Sequence, residues 1–156
     1  MALDRESVTG WVTAYESAWR TVGTGKLSEL FAPDVVYVPS PWARPLRGLG
    51  ALSAFWQAER NGPDEAFALR SDVVAVDGRV AVVRVSVDYA DPSSGRWRDL
   101  WVLRFDTDGR CTEFEEWPFA PGQSDGHGGA GTEIYQPSEP GSPLNGPATW
   151  DVIQPP

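Results

Sequence analysis

The stretch that decides the fold runs from residue 79 to residue 119 and reads RVAVVRVSVDYADPSSGRWRDLWVLRFDTDGRCTEFEEWPF. Apolar and polar side chains alternate along most of it, which is the period of β-strands that bury one face. Clusters of Asp, Pro, Ser and Gly interrupt the alternation as turns, and Asp77-Gly78 is a typical two-residue hairpin turn. The pattern predicts an antiparallel meander of four strands. These strands are expected at 67–76, 79–90, 96–106 and 110–119.

Helical spacing of apolar residues dominates the chain before this meander. Ser7 is the predicted N-cap of the first helix, and Gly23 follows its last turn. The helices are expected at 7–22, 26–32 and 49–60, with a short strand at 35–38 between the second and third. Because the helices come first and the strands follow, the order indicates an α+β fold and not a parallel sheet.

The last 36 residues differ in composition from the rest of the chain. Residues 121–156 contain seven glycines and seven prolines, which disfavour both helices and strands. We therefore predict one domain over 1–120 and a C-terminal arm over 121–156 without regular structure. Two apolar clusters, Ile134-Tyr135 and Trp150-Val152-Ile153, predict that this arm packs along its own domain or the dimer partner. The alternative is a free, disordered tail.

Charge and composition exclude several classes of protein. The formal net charge of −9 disfavours binding to nucleic acids and to anionic membranes. No apolar run has the length of a membrane span, and the N-terminus lacks the features of a signal peptide, so we expect a cytoplasmic protein. Cys111 is the only cysteine, which precludes an intrachain disulfide. His127 is the only histidine and has no Cys or His neighbours at metal-ligand spacing, so no metal is expected.

Three short motifs, in this order and spacing, resemble the nuclear transport factor 2-like superfamily and its SnoaL-like domains. They are LFAPDV at 30–35, PLRG at 45–48 followed by Leu52, Phe55 and Trp56, and LRFDTDGR at 103–110 followed by FEEW at 114–117. The resemblance covers about residues 5–120. It implies a cone-shaped, curved antiparallel sheet wrapped on three N-terminal helices around one apolar pocket. Such relatives include polyketide cyclases, ketosteroid isomerases, dehydratases, epoxide hydrolases and non-catalytic binding modules, so the fold alone leaves the activity open.

Asp99 is the first candidate catalytic residue. Alternation places it on one face of its strand with Trp97, Trp101, Leu103 and Phe105, which predicts a carboxyl group on an aromatic face of the pocket. Burial there would raise its pKa toward the range that general acid–base catalysis requires. The alternative is a partly solvated carboxylate that pairs with an arginine near the start of the strand.

Glu116 is the second candidate, and here the argument rests on the resemblance. SnoaL-like cyclases carry an acid on the last strand that falls at Glu116, and their histidine two places earlier falls at Phe114. The sequence by itself does not decide which face of this strand meets the pocket. The alternatives for Glu116 are a solvated charge at the rim and an ion pair with Arg104.

Tyr15 is the third candidate, because it falls where ketosteroid isomerases carry the tyrosine of their oxyanion hole. The alternative is an ordinary core aromatic. The general base of those isomerases would fall near Pro39 or Ser40, neither of which can serve as a base. Their second oxyanion donor, a protonated aspartate, would fall at Trp101. The isomerase mechanism in that family's own form is therefore not expected.

The wall of the pocket is predicted to be apolar and aromatic. The residues expected to contact a substrate are Trp19, Trp42, Trp56, Trp97, Trp101, Val83, Val85 and Phe114. Arg44 and Arg47 border the predicted mouth. They could bind an anionic group or form part of the ordinary surface.

These residues favour a cofactor-independent enzyme, a cyclase, isomerase or dehydratase that acts on a hydrophobic carbonyl compound of polyketide or terpenoid type. In this hypothesis Glu116 or Asp99 removes a proton next to the carbonyl, while Tyr15 or Trp N–H groups stabilise the enolate. The main alternative is a non-catalytic ligand-binding or dimerisation module; an epoxide hydrolase would need an Asp-Arg-Asp relay that the sequence does not supply. We also expect a homodimer built on the outer face of the sheet, where valines, Leu100 and arginines alternate.

Overall fold

The computed structural model describes residues 2–60 and 64–124. Its helices are α1 (Arg5–Trp19), α2 (Leu27–Leu30) and α3 (Leu49–Glu59). Its strands are β1 (Phe31–Val38), β2 (Leu46–Arg47), β3 (Phe67–Asp77), β4 (Val80–Tyr89), β5 (Arg96–Phe105) and β6 (Cys111–Phe119). None of these helices is long and apolar enough to cross a lipid bilayer. The predicted arm lies outside the described residues from position 125 onward.

The six strands form one curved, unclosed sheet in the order β2-β1-β6-β5-β4-β3. Strands β3 to β6 are the predicted antiparallel meander, and their bounds lie within one residue of those expected. The predicted α+β fold is confirmed. One pairing differs from a wholly antiparallel sheet: β1 runs parallel to β6, because the chain returns through α3 and the meander before β6 joins β1.

The N-cap of helix α1 lies three residues before the predicted one. The Asp4 carboxylate accepts a 2.8 Å hydrogen bond from the Ser7 backbone N–H, and the Asp4 N–H donates to the Ser7 hydroxyl at 3.0 Å. This reciprocal capping box satisfies two N–H groups, so Asp4 is the N-cap and Ser7 lies in the first turn. The helix also ends earlier than predicted, at Trp19.

Strand β1 is longer than predicted and replaces the last residues of the expected second helix. It begins at Phe31 and includes Pro33, which cannot donate a ladder hydrogen bond. The register against β6 shifts between Phe31 and Val36, so the proline lies in an irregular part of the pairing. The irregularity lets an Ala-Pro-Asp sequence, which reads as a turn, continue as a strand.

The turn between β3 and β4 comprises Gly78 and Arg79, because Asp77 pairs directly with Val80. Gly78 has a φ of 57°, a conformation that side chains with a Cβ seldom adopt. The predicted hairpin is present, and its glycine is the first of the two turn residues and not the second.

One face of the sheet packs against the helices to form the core. The alternation predicted for β4 and β5 is confirmed: Ala81, Val83, Val85, Trp101 and Leu103 are buried on this face. Cys111 is buried there as well, and burial raises the pKa of its thiol. Toward the carboxyl end of β4 and the amino end of β5, the packing opens into a cavity.

Candidate functional site

A cavity of 590 Å³ opens between the concave face of the sheet and the helices. This volume suits a small organic ligand. Strands contribute most of the wall, from the end of β1, the start of β3, the end of β4, the start of β5 and the end of β6. Eight aromatic side chains of the described residues line it: Tyr15, Trp19, Tyr37, Phe55, Phe67, Tyr89, Trp97 and Trp101.

Two carboxyl groups, Asp99 and Glu116, lie in the sheet part of this wall. Trp101 pairs with Glu116 across β5 and β6, and Asp99 pairs with Pro118. Asp99 and Glu116 are therefore diagonal neighbours on one face, a relation that separates their backbones by about 7–8 Å in antiparallel sheets. The register answers the question that the sequence left open, because it turns Glu116 toward the cavity. The alternative ion pair is absent: Arg104 pairs with Glu113 on the outer face at 3.1 Å.

Glu116 is held by a tyrosine from the neighbouring strand. The Tyr37 hydroxyl donates a 2.9 Å hydrogen bond to Oε2 of Glu116. Burial raises the pKa of Glu116 to about 8, and the nearby charge of Asp99 adds to this, while the Tyr37 hydrogen bond opposes it. Glu116 therefore carries a proton at pH 7.

The pKa of Asp99 is raised less than that of Glu116, and its carboxyl group accepts a longer hydrogen bond. Burial raises its pKa to about 6, while the Trp101 indole, which donates from 3.4 Å to Oδ2, and the charge of Arg98 oppose that rise. Its Oδ1 is buried and has no hydrogen-bond partner in the described part of the chain. Asp99 is thus mostly ionised at pH 7 and has an acceptor atom that a ligand could use. The alternative surface ion pair with an arginine does not form.

Tyr15 reaches the cavity from α1. Its ring contacts Trp101 and Trp56 at centroid distances of 4.9 and 5.1 Å, so it also belongs to the core. Burial raises its pKa well above the usual value, and Glu116 is the next cause. Within residues 2–60 and 64–124 its hydroxyl makes no hydrogen bond, which leaves the O–H group available as a donor. The structure thus brings Tyr15, Asp99 and Glu116 together around one cavity.

Of the predicted contact residues, only Trp19, Trp97 and Trp101 line the cavity. The prediction was wrong for Trp42, which is 99% exposed, in a loop that a Ser40–Ala43 backbone hydrogen bond closes into a turn. It was also wrong for four residues that the core packing covers completely: Trp56, Val83, Val85 and Phe114. Trp56 lies behind the rings of Tyr15 and Trp19, and Phe114 is surrounded by other aromatic rings.

Several lining residues were not singled out as site residues from the sequence. Tyr37 lies two residues after buried Val35 on the same strand, so strand alternation could have placed it on the inner face. Glu59 lies four residues after Phe55 on α3, so helical spacing could have placed both on one stripe. Glu65, just before β3, follows no regular pattern.

No arginine, lysine or histidine of the described residues lines the cavity. Arg44 and Arg47 are exposed and lie outside it, which agrees with the surface alternative. The same part of the chain contains no group of three or more His, Cys, Asp and Glu side chains that could hold a metal ion. His127 lies outside the described residues. The described residues of the wall thus supply no arginine for an Asp-Arg-Asp relay.

Comparison with known proteins agrees with this architecture. A steroid Δ-isomerase from Pseudomonas aeruginosa superposes with a TM-score of 0.54 at 22% identity, over 76% of this chain and 83% of that one. A proposed polyketide cyclase from Sinorhizobium meliloti superposes with a TM-score of 0.55 at 26% identity, over 70% and 97%. A nuclear transport factor 2-like protein of unknown function from Burkholderia xenovorans gives a TM-score of 0.55 at 14% identity, over 78% and 89%.

These structural similarities establish the fold that the sequence motifs implied. No curated protein sequence matches this chain significantly. The family model described as a SnoaL-like domain matches residues 12–114, which is about two thirds of the chain and includes Tyr15, Tyr37 and Asp99. The match stops two residues before Glu116. With the curved sheet and its cavity, this match shows that the chain belongs to the SnoaL-like domain family of the nuclear transport factor 2-like superfamily.

Proposed function

We propose that this protein is a cofactor-independent enzyme that moves a proton next to the carbonyl group of a hydrophobic small molecule of polyketide or terpenoid type. One observation carries the proposal. Two carboxyl groups, Asp99 and Glu116, face the same aromatic cavity, and their environments favour opposite protonation states at pH 7. Pairs of titratable groups whose pKa values are pushed apart are typical of acid–base catalysis.

The ionised member, Asp99, serves as the general base in this proposal. Its unpaired Oδ1 takes a proton from the carbon next to the carbonyl, and the electron pair of the broken C–H bond moves into the enolate. Glu116, protonated and held by Tyr37, donates a hydrogen bond or its proton to the carbonyl oxygen. The Tyr15 hydroxyl supplies a second donor. Donors of this kind stabilise the negative charge that develops on oxygen.

The enolate can then follow three routes that need no cofactor. Return of the proton from Asp99 to a different carbon gives isomerisation. Attack of the enolate carbon on a second carbonyl of the same molecule, whose oxygen takes the proton from Asp99, gives cyclisation. Cleavage of the C–O bond to a β-hydroxyl group, which takes that proton and leaves as water, gives dehydration. The aromatic wall excludes water from the reacting carbon in each case.

Deuterium exchange tests the proposal without knowledge of the natural substrate. Polycyclic ketones with exchangeable protons next to the carbonyl are incubated with the protein in D₂O, and their mass is followed. We expect the wild type to accelerate exchange for at least one ketone, and Asp99→Asn and Glu116→Gln to abolish the acceleration. Glu29→Gln removes one exposed carboxylate that does not line the cavity and should exchange as the wild type does.

A clear negative is available. If ketones bind, as judged by a rise in melting temperature, and none exchanges faster than in buffer, the protein is a non-catalytic binding module. Exchange that survives in both variants would remove Asp99 and Glu116 from the mechanism.

A further inference from the structure

The wall of the cavity has a strong charge imbalance. Four carboxyl side chains face it, namely Glu59, Glu65, Asp99 and Glu116, and no basic side chain of the described residues does. The proton-transfer chemistry above uses two of them. Glu59 ends helix α3 and Glu65 precedes β3, so these two belong to a different part of the rim from the sheet pair.

Two carboxylates on the outer face of this sheet, Asp88 and Glu113, have close arginine partners. Asp88 pairs with Arg96 and Arg98 at 3.0 and 3.1 Å, and Glu113 pairs with Arg104. In contrast, Glu59, Asp99 and Glu116 form no ion pair within the described part of the chain. These arginines thus pair with carboxylates of the outer face, and no described basic side chain pairs with Glu59, Asp99 or Glu116 in the cavity.

The ring of Tyr89 lines the same cavity as the four carboxyl groups. Burial raises the pKa of Tyr89 to about 12, and the charges of Glu65, Asp99, Glu116 and Glu59 all add to the rise, in that order. All four carboxyls are therefore close enough to Tyr89 to act on it. An aromatic wall with surrounding carboxylates is the arrangement that proteins use to bind ammonium groups, because ring faces and carboxylates both attract cations.

Two arginines approach the lining rings without entering the cavity. The Arg20 guanidinium lies 3.7 Å from the centroid of the Phe67 ring, and Arg60 lies 5.8 Å from that of Trp19. Arg20 pairs with Glu16, and Arg60 donates to backbone carbonyls. Neither forms an ion pair with Glu59, Asp99 or Glu116, and neither lines the cavity.

We infer that the ligand of this cavity carries a basic nitrogen, as a protonated or quaternary amine, on its hydrophobic body. The ammonium group would lie toward Glu59, Glu65 and the Tyr89 ring, and the carbonyl group toward Asp99 and Glu116. The inference rests on the proposed function for the carbonyl end only. Compounds with a carboxylate are disfavoured by the same charges.

Three probes of similar shape test the inference by calorimetry at pH 7.5: benzyltrimethylammonium, its neutral isostere 2,2-dimethylpropylbenzene, and phenylacetate. We expect the cation to bind about tenfold more tightly than the isostere, and phenylacetate to bind most weakly. The double variant Glu59→Gln/Glu65→Gln should lose most of this preference and keep its affinity for the isostere. The control Glu29→Gln, which removes one negative charge outside the cavity wall, should behave as the wild type does.

Equal affinity of the wild type for the cation and the isostere would overturn the inference, as would a preference that the double variant keeps in full. A salt series on the wild type gives a second readout that needs no variant. Raising NaCl from 0.05 to 0.5 M should weaken binding of the cation and leave the isostere unchanged, because salt screens the attraction. A salt-independent cation affinity would count against it. Since these measurements report binding alone, failure of ketone exchange would leave the cation preference intact, and the reverse also holds.

Discussion

The Tyr37 hydroxyl donates a hydrogen bond to the carboxyl group of Glu116, and the two residues lie on the neighbouring parallel strands β1 and β6. Burial favours the protonated form of this carboxyl group. This bond stabilises the ionised form of Glu116 and so limits the rise of its pKa. Tyr37→Phe removes the donor and keeps the ring.

We therefore expect the pKa of Glu116 to rise further in Tyr37→Phe, above about 8. Titration of ¹³C-labelled glutamate carboxyls by NMR measures it directly. Tyr15→Phe is the control, because the Tyr15 hydroxyl makes no hydrogen bond to Glu116 in residues 2–60 and 64–124. A lower pKa in Tyr37→Phe, or equal shifts in both variants, would contradict this assignment.

Stability should fall as the pH rises through the range of Glu116. Its pKa is about 8 in the folded protein against an ordinary value of 4.5, so between these values the folded state holds a proton that the unfolded chain releases. The free energy of unfolding then decreases with pH in this window. Asp99 adds the same trend between 3.8 and about 6.

Urea unfolding from pH 5 to pH 9 checks this sign. Glu116→Gln should flatten the curve above pH 6 and be more stable than the wild type at pH 9, because it removes the cost of an ionised buried carboxyl. Glu29→Gln should keep the slope of the wild type. A wild-type stability that increases between pH 6 and pH 9 would rule out the raised pKa.

Arg60 stabilises the end of helix α1 and the turn that follows it. Its guanidinium donates to the backbone carbonyls of Trp19, Thr21 and Gly23, at 3.3, 2.7 and 2.7 Å. Arg60→Met should lower stability by about 1–3 kcal/mol, since these carbonyls lose charged donors, and should lower the melting temperature by several degrees. Arg44→Met is the matched control, because Arg44 is exposed and forms no hydrogen bond or ion pair in the described residues. Equal melting temperatures of the two variants would contradict this role.

The outer face of the sheet carries an apolar pair that suits a second copy of the chain. Leu100 and Trp117 are directly paired across β5 and β6 and are 38% and 40% exposed. We expect a homodimer in light scattering at micromolar concentration, and a monomer after Leu100→Arg combined with Trp117→Arg. Val22→Arg, which alters a 74% exposed residue outside the sheet, should remain dimeric. A monomeric wild type would refute the prediction.

Ligand binding should be visible in tryptophan fluorescence. Trp19, Trp97 and Trp101 line the cavity, whereas Trp42 is fully exposed outside it. We expect a polycyclic ketone to quench the emission, and Trp101→Ala to weaken its binding more than Trp42→Ala does. Equal loss of affinity in the two variants would place the ligand elsewhere.

The sequence predicted the meander well because each of its strands buries one face. The alternation of apolar and polar residues therefore indicates both where a strand lies and which of its side chains face the core. Alternation also placed Asp99 on the inner face of β5, where the structure has it. The sequence could not assign Glu116 without the resemblance, since Glu113, Glu115 and Glu116 place acids on both faces of β6 and only the pairing with β5 selects one.

The errors have similarly local causes. Alternation says that a residue faces inward but not whether a neighbour covers it, so Val83 and Val85 were expected in the cavity and lie in the core. Trp42 was assigned to the cavity from its aromatic character. It lies in a Pro-rich loop, where no regular alternation indicates which way a side chain points. The start of α1 was misplaced because Asp4 and Ser7 can each cap a helix, and the reciprocal hydrogen bonds decide between them.

The concave face of the sheet is divided into a packed core and an open cavity, and this division affects how the protein can evolve by mutation. Residues such as Val8, Phe31, Leu103 and Cys111 are completely buried at the packed part and determine whether the chain folds at all. The cavity wall shares the buried rings of Tyr15, Tyr37 and Trp101 with this core, and most of its other side chains, among them Phe67 and Trp97, are only half-buried. Mutations at the half-buried positions can therefore accumulate with little loss of stability, so one scaffold can change its ligand there without loss of its fold.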